Sequence, residues 1–186
     1  MSGGHGAGGS SNKRVALLIS VLALFLALAE TLAKGAQTDA LGANVEASNQ
    51  WAYFQARTIR GTVLKTADET LALLPPEVAN SEAVKAKRAE WAKTMARWDS
   101  EPATGEGRKE LAEKARHSQE VRDLALHRYH HYEFASAAFQ IGIVLASAEV
   151  ITGIFALVVG GGLLGIAGLA LLGFGLYAPH ALPFFH

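Results

Sequence analysis

Residues 15–33 read VALLISVLALFLALAETLA, bracketed by Lys13 and Arg14 before and Lys34 after, with Glu30 the one ionisable residue inside. This stretch decides the fold class, because a membrane-spanning helix needs about 20 mostly apolar residues at 1.5 Å rise each. Working outward, a second apolar run begins near Ala135 and continues to about Val159, with Glu149 as its single charge, and a third covers Leu163 to Tyr177. Gly160-Gly161-Gly162 lies between the last two. A triple glycine is a poor helix interior, so the sequence predicts a tight turn there, at the membrane surface, joining two antiparallel spans. One helix through both runs would exceed a bilayer's thickness. The expectation is an all-α membrane protein with three transmembrane helices, placed at 13–34, at 134–159 and, behind the glycine turn, within 160–178.

The first run also has the outline of a cleavable secretory signal: basic residues, an apolar stretch from Val15 to Ala29, and Ala27-Leu28-Ala29. Its periodicity argues for an uncleaved anchor. Ala16, Ser20, Ala23, Ala27 and Glu30 are spaced four, three, four and three, which puts them on one helical face. Small residues on one face let helix backbones approach closely in a bilayer. The second run repeats the device with Ala135, Ala138, Gly142, Ala146, Glu149 and Gly153, and the third with Gly161, Gly165 and Gly168. These seams predict a packed three-helix bundle that self-associates or joins another membrane complex. A pathway lined by small residues is the sharper alternative.

Ionisable groups inside a bilayer are costly and are functional candidates by default. Measured from the side holding the middle of the chain, Glu30 lies about 6 Å deep and Glu149 about 21 Å deep at 1.5 Å per residue. The gap of about 15 Å forbids direct pairing. Lys34, four residues on, can pair with Glu30. Glu149 is the costlier group. Its bland role is a neutral interhelical hydrogen bond, and its functional role is a proton or ion relay in a small channel or transporter accessory. Gln140, three turns nearer the middle segment, is not an obvious partner for it.

Composition fits this division. The chain has 186 residues, half of them hydrophobic, with 17 Lys+Arg, 17 Asp+Glu and no cysteine. The balance excludes the basic bias of a nucleic-acid binder, and the missing cysteines exclude a disulfide framework or thiolate metal site. Nearly all the charge falls in 35–133, which reads as an extramembrane helical stalk. Thr38 to Leu74 has no proline, and Ile59, Val63, Ala67, Leu71 and Leu74 make an apolar stripe. Pro75-Pro76 ends that helix. A second helix covers Ser81 to Trp98, where Val84, Trp91 and Trp98 are seven apart with Arg88 and Met95 between, a short coiled-coil-like seam. Residues 99–107, DSEPATGEG, form a turn cluster. A third helix starts near Arg108 and runs without a breaker into the second span. The Gly/Ser-rich residues 1–12 read as a disordered tail and 179–186 as a C-terminal tail.

Candidate chemistry is sparse. His127, His130 and His131 form H-x-x-H-H, and His127 and His131 share a helical face as zinc ligands often do. The Glu of H-E-x-x-H is missing, so an interfacial belt with Tyr129, Tyr132 and Phe134 is the bland reading, and a metal- or pH-responsive role the functional one. No P-loop or nucleophile elbow occurs. The expectation is therefore a non-enzymatic protein without cofactor, whose partners are the lipid bilayer and copies of itself or a membrane complex, with no nucleic acid. Lys13 and Arg14 favour a cytoplasmic N-terminus, which would make the stalk periplasmic in a bacterial inner membrane.

Four phrases carry a family resemblance: NKRVALLISVLALFLALAETLAKGAQTDAL, VEASNQWAYFQARTIR, SEPATGEGRKELAEKAR and HRYHHYEFASAAFQIGIVLASAEVITG. Together they resemble the bacterial membrane proteins grouped as domain of unknown function 4337. The resemblance implies a small multi-pass protein with a helical middle segment and no assigned activity, so it transfers no functional residue. It also implies a small residue, rather than an acid, at the place of Glu149.

Overall fold

The computed structural model describes the backbone of residues 6–180 and the side chains of 12–180. Among the described residues every regular element is a helix: α1 Gly6–Ala72, α2 Pro76–Ala79, α3 Glu82–Asp99, α4 Arg108–Thr152 and α5 Phe155–Tyr177. Stretches of α1, α4 and α5 are long and apolar enough to cross a membrane. Proline sets the first boundary, since α1 ends just before Pro75-Pro76 and Pro76 then opens α2, where its missing N–H is no loss. Ser81 caps α3 by accepting the Val84 N–H at 3.4 Å. The α1 helix passes Gly35 and Gly42 without interruption.

The chain forms two compact units, one from residues 1–41 with 122–186 and the other from 42–121. The first unit is apolar. Leu22, Ala29, Ala33, Ala36, Tyr132, Ala135, Phe139 and Leu172 are its core. The packed face of α1 runs through Val15, Leu22, Ala29 and Ala36 at seven-residue spacing. The packed face of α5 is almost all glycine: Gly161, Gly165, Gly168, Leu172 and Gly175, spaced four, three, four and three. Large side chains fill the notches these leave. A Cβ on Gly165 would stand 2.6 Å from a Leu22 methyl, and one on Gly168 would stand 2.7 Å from the Phe139 ring. A Cβ on Gly161 would stand 2.7 Å from the Gly142 carbonyl oxygen, so α4 and α5 touch backbone to backbone there.

Three expectations change here. The turn between the last two helices is at Gly153 and Ile154, not at Gly160-Gly161-Gly162. Gly153 takes φ +71°, a left-handed conformation that suits glycine, and its N–H closes the end of α4 on the Glu149 carbonyl at 2.7 Å. The triple glycine sits inside α5, where it makes contact rather than a bend. The outward side of α1 carries Ala16, Ser20, Ala23 and Ala27, which are exposed; the notches of α4 and α5 accept a leucine, so α1 packs its larger face. Finally, the tail read as disordered is helical from Gly6 onward, and its residues 1–5 lie outside the described residues, as do 181–186 of the C-terminal tail.

The second unit, 42–121, is built on charge as well as packing. On α3, Val84, Arg88, Trp91, Met95 and Trp98 are all half-buried. The proposed stripe on α1 is split: Ile59 and Val63 are more than 60% exposed, while Ala67 and Leu71 are half-buried. Successive steps of four drift about 40° each around a helix of 3.6 residues per turn, so a pure i, i+4 run cannot stay on one contact face. The face that packs alternates steps of four and three through Arg57, Gly61, Leu64, Asp68 and Leu71.

Candidate functional site

Four places concentrate polar chemistry, three of them in the apolar unit. Glu30, on α1, is exposed and accepts a hydrogen bond from the Gln140 side chain of α4 at 3.3 Å. Gln140, not Lys34, is therefore its partner, and the bond ties two helices together 110 residues apart in sequence.

Glu149 is only 9% exposed, and its Oε2 has no hydrogen-bond partner among the described residues. Moving the turn to Gly153 changes its depth. Glu149 lies three residues, about 4.5 Å of helix rise, from Thr152 at the end of α4, so it is a buried acid near one end of the apolar run rather than deep within it. Glu30 and Glu149 remain apart, because Gln140 and Glu149 are nine residues apart on one helix.

The histidines gather where α5 ends. His131 is fully buried, and its Nε2 lies 3.0 Å from the Pro179 carbonyl oxygen. A carbonyl only accepts, so Nε2 carries the proton and donates. The Phe174 ring lies 6.4 Å from the His131 ring, and His127 meets His180 at 4.9 Å, edge to face. A Cβ on Gly175 would stand 3.1 Å from the His131 Cβ. His130 lies 3.9 Å from Glu133. These contacts make His131 a latch for the end of α5. Among the described residues no three His, Cys, Asp or Glu side chains come together as a metal site.

The fourth place lies in the second unit, where two of the quoted phrases meet. In the turn before α4, Glu110 reaches back to accept from the Ser100 hydroxyl at 2.6 Å and the Glu101 N–H at 3.1 Å. The Ser100 bond holds the Glu110 carboxyl below its usual range, with the backbone N–H groups adding to it. Asp99 meets Arg108 at 2.6 Å and Lys109 at 3.0 Å, and both cations hold its carboxyl low. Gly107 is required in this clasp, because a Cβ there would stand 2.7 Å from Ser100 Cα. Asp68 of α1 binds Arg88 of α3 through two bonds, 2.7 and 3.1 Å, which lower the Asp68 pKa. Arg57 of α1 binds Glu106 at 2.8 Å, and the Arg108 guanidinium lies 5.9 Å from the Phe54 ring centre. Between these elements opens a cavity of about 580 Å³ whose lining includes Arg57, Arg60 and Lys114. Sequence reading missed these three cations. Arg57 and Arg60 are one helical turn apart, which is a signal, but their convergence with Lys114 depends on how the turn folds back.

No curated protein and no solved structure matches the chain. A family model does, over residues 11–178. That match reaches into both units and all five helices, and the chain therefore belongs to the family described as a domain of unknown function, DUF4337.

Proposed function

We propose that this protein is a multi-pass anchor of a bacterial inner membrane, non-enzymatic, that assembles with further copies of itself through the outward face of α1. One observation carries the reading. Ala16, Ser20, Ala23 and Ala27 line an exposed face of α1 at four-three-four spacing, while the opposite face is filled by α4 and α5. The Ser20 hydroxyl is satisfied within its own helix by the Ala16 carbonyl at 2.9 Å, so a second helix can lie against it without leaving a polar group unmet. Close approach over small residues is a main source of helix association in lipid. In this reading the N-terminus is cytoplasmic and the charged unit periplasmic, following Lys13 and Arg14.

The absence of cysteine makes the test clean. Ala23→Cys in native membranes should give an oxidant-dependent dimer, while Leu24→Cys, 68% exposed and about 100° around the helix, should not. Equal crosslinking at both positions, or a strictly monomeric mass in mild detergent, removes the proposal.

The buried Oε2 of Glu149 favours a second reading, an accessory to ion or proton movement. Flux in reconstituted vesicles that is unchanged by Glu149→Gln removes it.

A further inference from the structure

In the second unit two thirds of the Lys and Arg side chains have found an acid. Arg57, Lys65, Lys85, Lys87, Arg88, Arg97, Arg108 and Lys109 each lie within 4.0 Å of a carboxylate. Among its described residues only Arg60, Lys93, Lys114 and Arg116 do not. Two of those four, Arg60 from α1 and Lys114 from α4, line the same 580 Å³ cavity, and Arg57 lines it beside them. Against these three cations the lining supplies one carboxylate, Glu106, already bound to Arg57 at 2.8 Å. The cavity is therefore short of about two negative charges.

Its geometry is prepared rather than loose. Lys114 donates to the Gly105 carbonyl at 2.8 Å, and Gly105 holds φ +67°, so the turn itself positions the ammonium. Arg57 is 17% exposed and held by Glu106. Tyr53 brings a phenol to the wall, and the buried Leu111 an apolar patch. Paired guanidinium groups suit the oxygens of phosphate in two-point contact, and a cleft with an excess of one sign of charge concentrates its field on the opposite sign. The volume falls within the range of small-molecule sites, about 300–1,000 Å³.

We propose that this cavity binds a small phosphate-class oxyanion of charge −2 or greater, held by Arg60 and Lys114 with Arg57 behind them. Such a group can be inorganic phosphate, pyrophosphate or a free organic phosphate. The full chain in phosphatidylcholine nanodiscs, titrated with pyrophosphate at constant ionic strength, tests it by calorimetry. Saturable heat is expected. Arg60→Gln and Lys114→Gln should each weaken binding about tenfold, and Arg116→Gln, whose cation lies outside the cavity, by less than about twofold. Arg60 has no ion-pair partner among the described residues, so its variant should keep full helicity by circular dichroism and isolates binding from folding. No saturable heat in phosphatidylcholine discs, or equal weakening by Arg116→Gln, overturns the site.

Discussion

The two units of this chain share α1 and α4 and hold themselves together by opposite means. In the apolar unit the glycines meet leucine, phenylalanine, tyrosine or backbone, and a side-chain bond from Gln140 to Glu30 links α4 to α1. In the second unit the helices are pinned by Asp68–Arg88 and Arg57–Glu106, and by the Asp99 and Glu110 clasp before α4. In the proposed membrane setting the contrast follows from the solvent each unit meets. Apolar side chains gain little by leaving lipid for a helix face, so association there depends on how closely backbones can approach. In water, burial itself drives packing, and charged pairs at the edge select which partner sits where.

The sharpest way to break the first side of the comparison is Gly161→Ala. The new methyl would meet the Gly142 carbonyl at 2.7 Å, a backbone atom that cannot turn away. A loss of about 2–3 kcal/mol is expected, read as reduced thermal stability in detergent. Gly165→Ala meets only a Leu22 methyl at 2.6 Å, the end of a flexible side chain, and should cost less. If the two variants lose the same stability, the backbone contact between α4 and α5 is not what holds the unit.

A smaller effect separates the units by pH. The carboxyls of Asp68, Asp99 and Glu110 are held below their ordinary values of 3.8 and 4.5. A depressed carboxyl stabilises the folded state above its unfolded pKa and loses that contribution as pH falls through the folded one. Acidification below about pH 4 should therefore lower the protection of α3 amides relative to their intrinsic exchange, while the α5 amides between Gly161 and Gly175 keep their protection. Equal loss in both regions would erase the distinction.

The smallest expected effect is at Gly162, where a Cβ would meet nothing within 4 Å. Gly162→Ala should leave stability unchanged or raise it by about 0.4–1 kcal/mol, because alanine restricts the unfolded chain. A loss comparable to Gly161→Ala would mean that glycine serves α5 as a flexible joint and not as a contact surface.

Much of this architecture was legible in the residues. Apolar length marked the three long helices, Pro75-Pro76 closed α1, and the turn before Arg108 was readable from its Gly, Pro and Asp content. On α4 most of the small-residue pattern fell on the packed side, with Ala135, Gly142, Ala146 and Glu149 buried and Ala138 half-buried, while Gly153 lies exposed in the turn. On α1 it did not, because which face packs depends on the partner's shape: Leu22 fits the notches of Gly142 and Gly165, and no periodicity within α1 encodes those notches. The misplaced turn has a similar cause. Glycine weakens a helix in water, yet three in a row served close contact, while the break came at the single Gly153. The cations of the cavity were invisible for a different reason, since Arg57 and Arg60 meet Lys114 only after the chain has folded back through three helices.

The two-residue connection at Gly153 and Ile154 also orders events in time. Gly142 and Gly161 are separated by only nineteen residues, so their meeting costs little loop entropy. Phe139 with Gly168, Tyr132 with Gly175, and His131 with Pro179 can then close in turn, each bringing the next pair within reach. The pairing of Gln140 with Glu30, like that of Phe139 with Phe25 beside it, closes a loop of more than 100 residues, at a larger entropic cost. The hairpin of α4 and α5 thus carries the short closure, and the docking of α1 onto α4 the long one.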